Sequence, residues 1–456
     1  MTIAAIEAAA LRTSAEVHAI GHADGMGRFC VSHIGRDDQD VRAKLRNFVG
    51  SDMLFKFSYH HRDAPQLTAR PCRVRLVAPT SCMRLSHGGN KPPLRAEVIG
   101  SLLRPRALKD AVARNLRGAL LRSEVDQVLG REVARVIARQ EAIGFKVATD
   151  GEFGRSSWFG YFFEGMQSFR LAPAHFQFKD ASGQAFSWQT CVAAGPIVRR
   201  GPIALPEYHR ARRHAREALV KITLPAPSAF HFFRLEEAID PAAYPDRARY
   251  FEALVRVYRT ELKELAAAGC RYVQFDEVPL AMLCDPSVRQ QAADRGCDPD
   301  ALLDTYIDLL CQICAERPSG MRLGLHLCRG NFRGRWMAAG GYQPVAEKVF
   351  NGVPVDVFLL EYDSGRAGDF APLRLVPEGK TVVLGLLSSK LEQLEAADEL
   401  VRRVEAAARV LPLERLALST QCGFASVAGG NALSEAGQWA KLELIARTAE
   451  RIWGTT

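Results

Sequence analysis

Four residues in the C-terminal half have side chains suited to holding a transition-metal ion: His326, Cys328, Glu361 and Cys422. His326 and Cys328 lie two apart in the run 322–328, so on a strand both project to the same side. His326 is also the only histidine after residue 231. Imidazole and thiolate donors select zinc among the common metals, and a carboxylate fits a fourth position that can loosen. Spacing alone leaves a second reading open. A His-x-Cys pair occurs in ordinary cores, and Cys422 beside Gly423 could be a small core residue. Glu361 fits that reading less well, because an unpaired carboxylate at the end of an apolar run is costly to bury.

Other strand-like runs also end in polar residues. Run 272–277 ends in Asp276-Glu277, and run 146–150 continues into Asp150-Gly151-Glu152. Cys311-Gln312-Ile313-Cys314 has a metal-like spacing, but it sits in the apolar stretch 302–315 with no second pair and reads as core. No Gly-x-Ser-x-Gly elbow, Gly-x-Gly-x-x-Gly or Walker A pattern follows a predicted strand, which argues against a serine hydrolase and against dinucleotide or NTP binding.

The elements that position these groups follow from periodicity. Short apolar runs at 96–101, 146–150, 191–198, 221–226, 272–277, 322–328, 356–363, 381–388 and 416–423 alternate with amphipathic stretches. The spacing predicts helices over 123–143, 247–268, 299–317, 391–410 and 432–453. Such alternation implies parallel strands joined by crossover helices. The expected fold is α/β, a (β/α)8 TIM-type barrel over residues 94–456 with one extra hairpin near 186–203; an open doubly wound sheet is the alternative. In a parallel barrel every carboxyl end opens on one face, so the metal-capable and acidic residues would meet there.

The bulk properties set limits. The 456 residues carry 60 Lys and Arg against 51 Asp and Glu, a formal charge of +9. The arginines are scattered along helical stretches, which reads as a solvated surface and predicts no nucleic-acid partner. No apolar run is long enough for a transmembrane helix, and the N-terminus lacks a secretory pattern. Eleven cysteines are an odd number and too sparse for a disulfide scaffold, so a cytoplasmic setting is expected. Residues 1–93 hold six of the eleven histidines, show poor periodicity and end in Ser-His-Gly-Gly-Asn-Lys-Pro-Pro. They are expected to form a weakly ordered extension, or not to belong to the natural protein.

The strand-end residues together resemble the cobalamin-independent methionine synthase family, specifically its C-terminal catalytic barrel and shorter single-barrel relatives. The matching pieces, in the family's order, are Val98-Ile99-Gly100-Ser101, Thr149-Asp150-Gly151-Glu152, Gln274-Phe275-Asp276-Glu277, His326-Leu327-Cys328, Leu360-Glu361 and Gln421-Cys422-Gly423-Phe424. The resemblance implies a zinc-dependent methyltransferase of methionine biosynthesis that moves a methyl group, in the family from 5-methyltetrahydrofolate, to homocysteine. It implies His326, Cys328, Glu361 and Cys422 as zinc ligands. Ile99, Gly100 and Ser101 would bind the substrate carboxylate, and Glu152 and Asp276 its amino group. The chain also departs from the pattern. Residues 1–93 cannot supply the second barrel of the longer synthases. The family's proton-donating histidine has no counterpart in Gly385-Leu386-Leu387-Ser388-Ser389-Lys390, so the general acid is unassigned, and no tryptophan follows the 221–226 run. Two alternatives stay open: a zinc-dependent alkyltransferase acting on another thiol such as coenzyme M, and a metal-free lyase of the uroporphyrinogen decarboxylase type.

Overall fold

Apolar residues at helical spacing (Val125, Leu129, Val133, Val136, Ile137) make the first long amphipathic stretch bury one face. The computed structural model describes residues 94–456, and the expectations for 1–93 lie outside the described residues. After α1 (Arg106–Leu116), that stretch forms α2 (Arg122–Ile143), which Gly144 ends in the left-handed conformation at φ 107°. The later helices are α3 (Leu205–Arg212), α4 (Arg247–Ala267), α5 (Pro299–Ala315), α6 (Gln343–Gly352), α7 (Ala397–Ala408) and α8 (Glu435–Trp453). Three start on side-chain caps predicted by residue type: Asp246 accepts from the Arg249 amide, Asp298 from Asp300 and Ser434 from Gly437.

The strands are β1 (Val147–Ala148), β2 (Phe169–Pro173), β3 (Phe178–Lys179), β4 (Ala185–Phe186), β5 (Gln189–Ala193), β6 (Leu219–Pro225), β7 (Tyr272–Glu277), β8 (Arg322–Leu327), β9 (Val357–Glu361), β10 (Thr381–Leu387) and β11 (Leu416–Thr420). Seven of them form one curled parallel sheet in the order β1-β6-β7-β8-β9-β10-β11. Helices cross between most neighbours, whereas β9 and β10 are joined by two short 3-10 turns, Gly365–Ala367 and Ala371–Leu375. The run expected as a strand at 96–101 contributes a single parallel bridge, Ala96 to Leu418. There the Glu97 amide donates to the Leu418 carbonyl at 3.0 Å and the Leu418 amide to the Arg95 carbonyl at 2.8 Å. The expected hairpin at 186–203 is displaced. β5 pairs antiparallel with the preceding β2, and β3 with β4, so the insertion spans 169–193. The signal in β2 was weak because Phe-Arg-Leu-Ala-Pro is short, ends in proline and leaves Leu171 exposed.

The strands are buried on both faces, as in a covered parallel sheet, but their burial includes polar groups such as Thr223, Gln274 and Ser419 and a Lys221–Glu97 ion pair at 2.9 Å. Close packing fixes one glycine: a Cβ on Gly385 would lie 2.6 Å from the Gln421 Cα and 2.8 Å from the Leu360 carbonyl oxygen, both backbone. Only glycine lets β10 pass between the strand ends that carry Glu361 and Cys422. Among the described residues no helix is long and apolar enough to cross a membrane.

Candidate metal and substrate site

Register brings the polar strand ends to one level. Asp276 of β7 pairs with His326 of β8, and Glu361 of β9 with Gly385 of β10. Cys328 follows β8 directly and Cys422 lies just past β11. Among the described residues, His326, Cys328 and Cys422 form a group whose ligand atoms all lie within 4.8 Å of one another, and all three are buried.

The details of this group suit a metal. The His326 Nδ1 donates to the Leu359 carbonyl at 3.1 Å, which leaves Nε2 as the free lone pair. That Nε2 is buried and has no hydrogen-bond partner. The Cys328 and Cys422 sulfurs are 3.5 Å apart, far beyond a disulfide bond, and both cysteines are free. Two thiolates on one tetrahedral zinc would be separated by roughly 3.8 Å, close to that spacing. The contact with Cys328, together with His326, holds the Cys422 thiol well below its usual range, while the same contact and burial push Cys328 up. One sulfur is thus prepared as an anion beside an imidazole.

Glu361, the expected fourth ligand, lies outside this group of three, near enough for its charge to act on Cys328. Its Oε2 accepts from the Arg329 amide at 2.8 Å, and its Oε1 lies 3.5 Å from the Lys390 ammonium. Burial would raise its carboxyl, but Lys390 and Arg329 outweigh it and hold the group below the usual range, so it stays ionised. Tyr342 braces the same point, its hydroxyl accepting from the Glu361 amide at 2.9 Å.

The remaining candidates share one cavity of about 530 Å³, counting its open mouth. Ile99, Gly100, Ser101, Glu152 and Asp276 all line it, as do the three residues of the cluster. Glu152 sits in a turn after β1 at φ 57°, a conformation that L residues rarely adopt. Its Oε1 accepts from the Thr223 hydroxyl at 2.8 Å, and its Oε2 is 3.5 Å from Arg155. Arg155 is itself clamped by Glu207 at 2.6 Å. Gly100 is required here, since a Cβ would meet the Glu152 Oε1 at 2.4 Å. Asp276 accepts from Gln274 at 2.7 Å, and burial raises its carboxyl to about 7 against the pull of His326. Its neighbour Glu277 points the other way, into the core, bonded to the Ser228 hydroxyl at 2.6 Å.

Several lining groups escaped the sequence reading. Trp158, Phe178, Trp188 and Phe233 form an aromatic wall of the cavity. No tryptophan follows β6, but Phe233 lies in the segment after it, and the other three rings come from the β1 turn and the displaced hairpin. The dense cluster Trp158-Phe159-Gly160-Tyr161-Phe162-Phe163 soon after Glu152 was the available signal. Cys311 and Cys314 lie in α5 outside the cluster; Cys314 is buried as core packing predicts, whereas Cys311 is only partly buried and donates to the Gly352 carbonyl at 3.1 Å, and Cys284 and Cys297 are buried free thiols.

Comparison with known proteins identifies the family. The sequence profile described as the cobalamin-independent synthase catalytic domain covers residues 94–440. The chain is 36% identical over 366 residues to the uncharacterized protein YxjH of Bacillus subtilis, spanning 80% of this chain and 96% of that one. It is 24% identical over 337 residues to a methionine synthase of Pyrococcus abyssi, covering 73% and 87%. Among solved structures it is similar to a Listeria monocytogenes protein of the vitamin-B12-independent methionine synthase type. That match has a TM-score of 0.62 and 29% identity, and covers 79% of this chain and 98% of that one. With the profile spanning most of its length, the chain belongs to the cobalamin-independent methionine synthase family.

Proposed function

We propose that this protein is a zinc-dependent methyltransferase that moves a methyl group to the thiol of homocysteine, forming methionine. The observation that carries the proposal is the convergence of a buried His-Cys-Cys cluster and two carboxylates on one cavity at the strand ends. His326, Cys328 and Cys422 would hold the metal, with Glu361 as the fourth, exchangeable ligand. Bound there, zinc would supply Lewis acidity that keeps an acceptor thiol deprotonated at neutral pH. Two thiolates and a carboxylate make the donor set electron-rich, which favours a nucleophilic sulfur over an acidic metal.

The chain's own groups supply the rest. Glu152, kept in place by Thr223 and Arg155, and Asp276, kept in place by Gln274, face the cavity as acceptors for the substrate ammonium. The 99–101 segment offers backbone groups to the substrate carboxylate. The aromatic wall restricts water around the reacting sulfur. A closed (β/α)8 barrel over 94–456, with 94–101 as its eighth stave, belongs to the same reading and is supported by the Ala96–Leu418 bridge. Eight free cysteines among the described residues agree with a reducing, cytoplasmic setting.

The test is zinc analysis of the purified protein followed by methylation assays on homocysteine and on coenzyme M. Stoichiometric zinc, with methionine formed and Glu152→Gln weakening only homocysteine binding, is expected. Turnover of coenzyme M alone would replace the acceptor, and turnover without metal would end the proposal.

A further inference from the structure

Outside the proposed metal cluster of His326, Cys328 and Cys422, the cavity wall is aromatic and acidic. Among its lining residues are Glu152 and Asp276 but no lysine or arginine. The Trp188 ring and the Trp158 backbone are held by hydrogen bonds. The Trp158 amide donates to the Ser426 carbonyl at 2.7 Å, and the Trp188 indole donates to the Phe176 carbonyl at 2.8 Å. Trp188 packs edge-on against Phe178 at 5.6 Å and Phe233 at 4.8 Å. The chain's own cations leave these four rings free: the described arginines and lysines that lie over aromatic faces lie over others, such as Tyr161, Phe186 and Trp336. A polyanionic methyl carrier would find no lysine or arginine in this lining to pair with its charges. Aromatic faces beside carboxylates attract an organic cation instead.

We infer that the methyl donor is a small methylsulfonium compound, held with its positive sulfur against Trp158 and Trp188. The inference rests on the thiol methyltransferase function proposed above. The acceptor's thiolate sulfur attacks the donor's methyl carbon. A new S–CH3 bond forms as the CH3–S⁺ bond breaks, and the electron pair of the broken bond stays on the donor sulfur. The donor leaves as a neutral thioether, and the acceptor's thiol proton is lost to solvent when the thiolate forms. No proton goes to the leaving group, so the step needs no general acid on the donor side. A quaternary ammonium of the same shape would bind, but an amine leaves far less readily than a thioether.

The zinc-loaded full chain is assayed for methionine formation from homocysteine with S-methyl-L-methionine, dimethylsulfoniopropionate, betaine, and 5-methyltetrahydrofolate as mono- and triglutamate. Turnover with a sulfonium, and background with betaine and both folates, is expected. Tryptophan fluorescence measures binding separately, with dimethylsulfoniopropionate compared against its uncharged-centre isostere 4-methylpentanoate. The sulfonium should bind at least about tenfold more tightly. Trp188→Ala should raise the donor KM about tenfold and leave homocysteine affinity within twofold, while Trp188→Phe, which keeps a ring, should retain most of it. Turnover with a folate but no sulfonium, or equal binding of the isostere, overturns the inference. Calorimetry with homocysteine tests the acceptor independently: loss of that binding alongside a retained sulfonium preference would remove the acceptor reading and not the donor site.

Discussion

Replacing Gly100 by alanine should damage the proposed amino-group site without touching His326, Cys328 or Cys422. The added methyl would lie 2.4 Å from the Glu152 Oε1 and 3.1 Å from the Thr223 Cγ2. Ordinary contact begins near 3.4 Å, so the carboxylate oxygen must withdraw by about 1 Å. Its backbone has little freedom to follow, being held at φ 57° with the Glu152 amide bonded to Asp150 at 2.8 Å. The movement breaks the 2.8 Å bond from Thr223 and draws the carboxylate off the substrate ammonium, a hydrogen bond between charged groups worth about 1.5–3 kcal/mol. At about 1.4 kcal/mol per factor of ten, kcat/KM for homocysteine should fall roughly 10- to 150-fold. Most of the change should lie in substrate affinity, measured by calorimetry, with zinc content unchanged. Overpacking should also cost about 1–3 kcal/mol of stability in urea titrations. A Gly100→Ala enzyme with native zinc and a kcat/KM within threefold of wild type would refute the assignment of Glu152 to substrate binding.

Other consequences are independent of that one. Arg155→Met strands the buried carboxylates of Glu207 and Glu152, so urea unfolding should show a loss of about 3–5 kcal/mol; a loss under 1 kcal/mol would contradict the clamp. Burial first, and then the charge of Glu207, raises the Asp150 carboxyl to about 7. A carboxyl raised on folding contributes stability that is full below its unfolded value near 4 and is lost as pH rises through about 7. Wild type should therefore lose more stability than Asp150→Asn between pH 4 and pH 7, and parallel curves would contradict this. Gly130 lies inside α2 with nothing within 4 Å of its would-be Cβ. Gly130→Ala should stabilise by about 0.5–1 kcal/mol and raise the melting temperature.

Much of the fold was readable because alternating strand and helix periods leave strong signals. β7 fell on its expected residues, and α4 and α5 ended within two residues of theirs. The failures have local causes. The 96–101 run has an apolar strand pattern, yet it makes one bridge, to β11 at the edge of the sheet, a property of its neighbours and not of the segment. The hairpin was displaced because β2 is short and ends in proline. For the site, residue type and spacing singled out His326, Cys328 and Cys422 as candidates but left a core reading open, which the family resemblance decided against; the structure brings the three together. Type and spacing could not show that Glu361 is engaged by Arg329 and Lys390, since those contacts come from loops after two different strands. The aromatic wall was hidden for a related reason: its rings converge from segments up to 75 residues apart, as from Trp158 to Phe233, with no periodic pattern linking them.

The sulfur-bound metal can be examined by zinc K-edge X-ray absorption on the purified chain, with and without homocysteine. One zinc per chain with two sulfur neighbours is expected, rising to three sulfurs when homocysteine is added, and falling to one in Cys422→Ser. Protein with no stoichiometric zinc, or zinc whose sulfur count is unchanged by homocysteine, would contradict thiol activation at His326, Cys328 and Cys422.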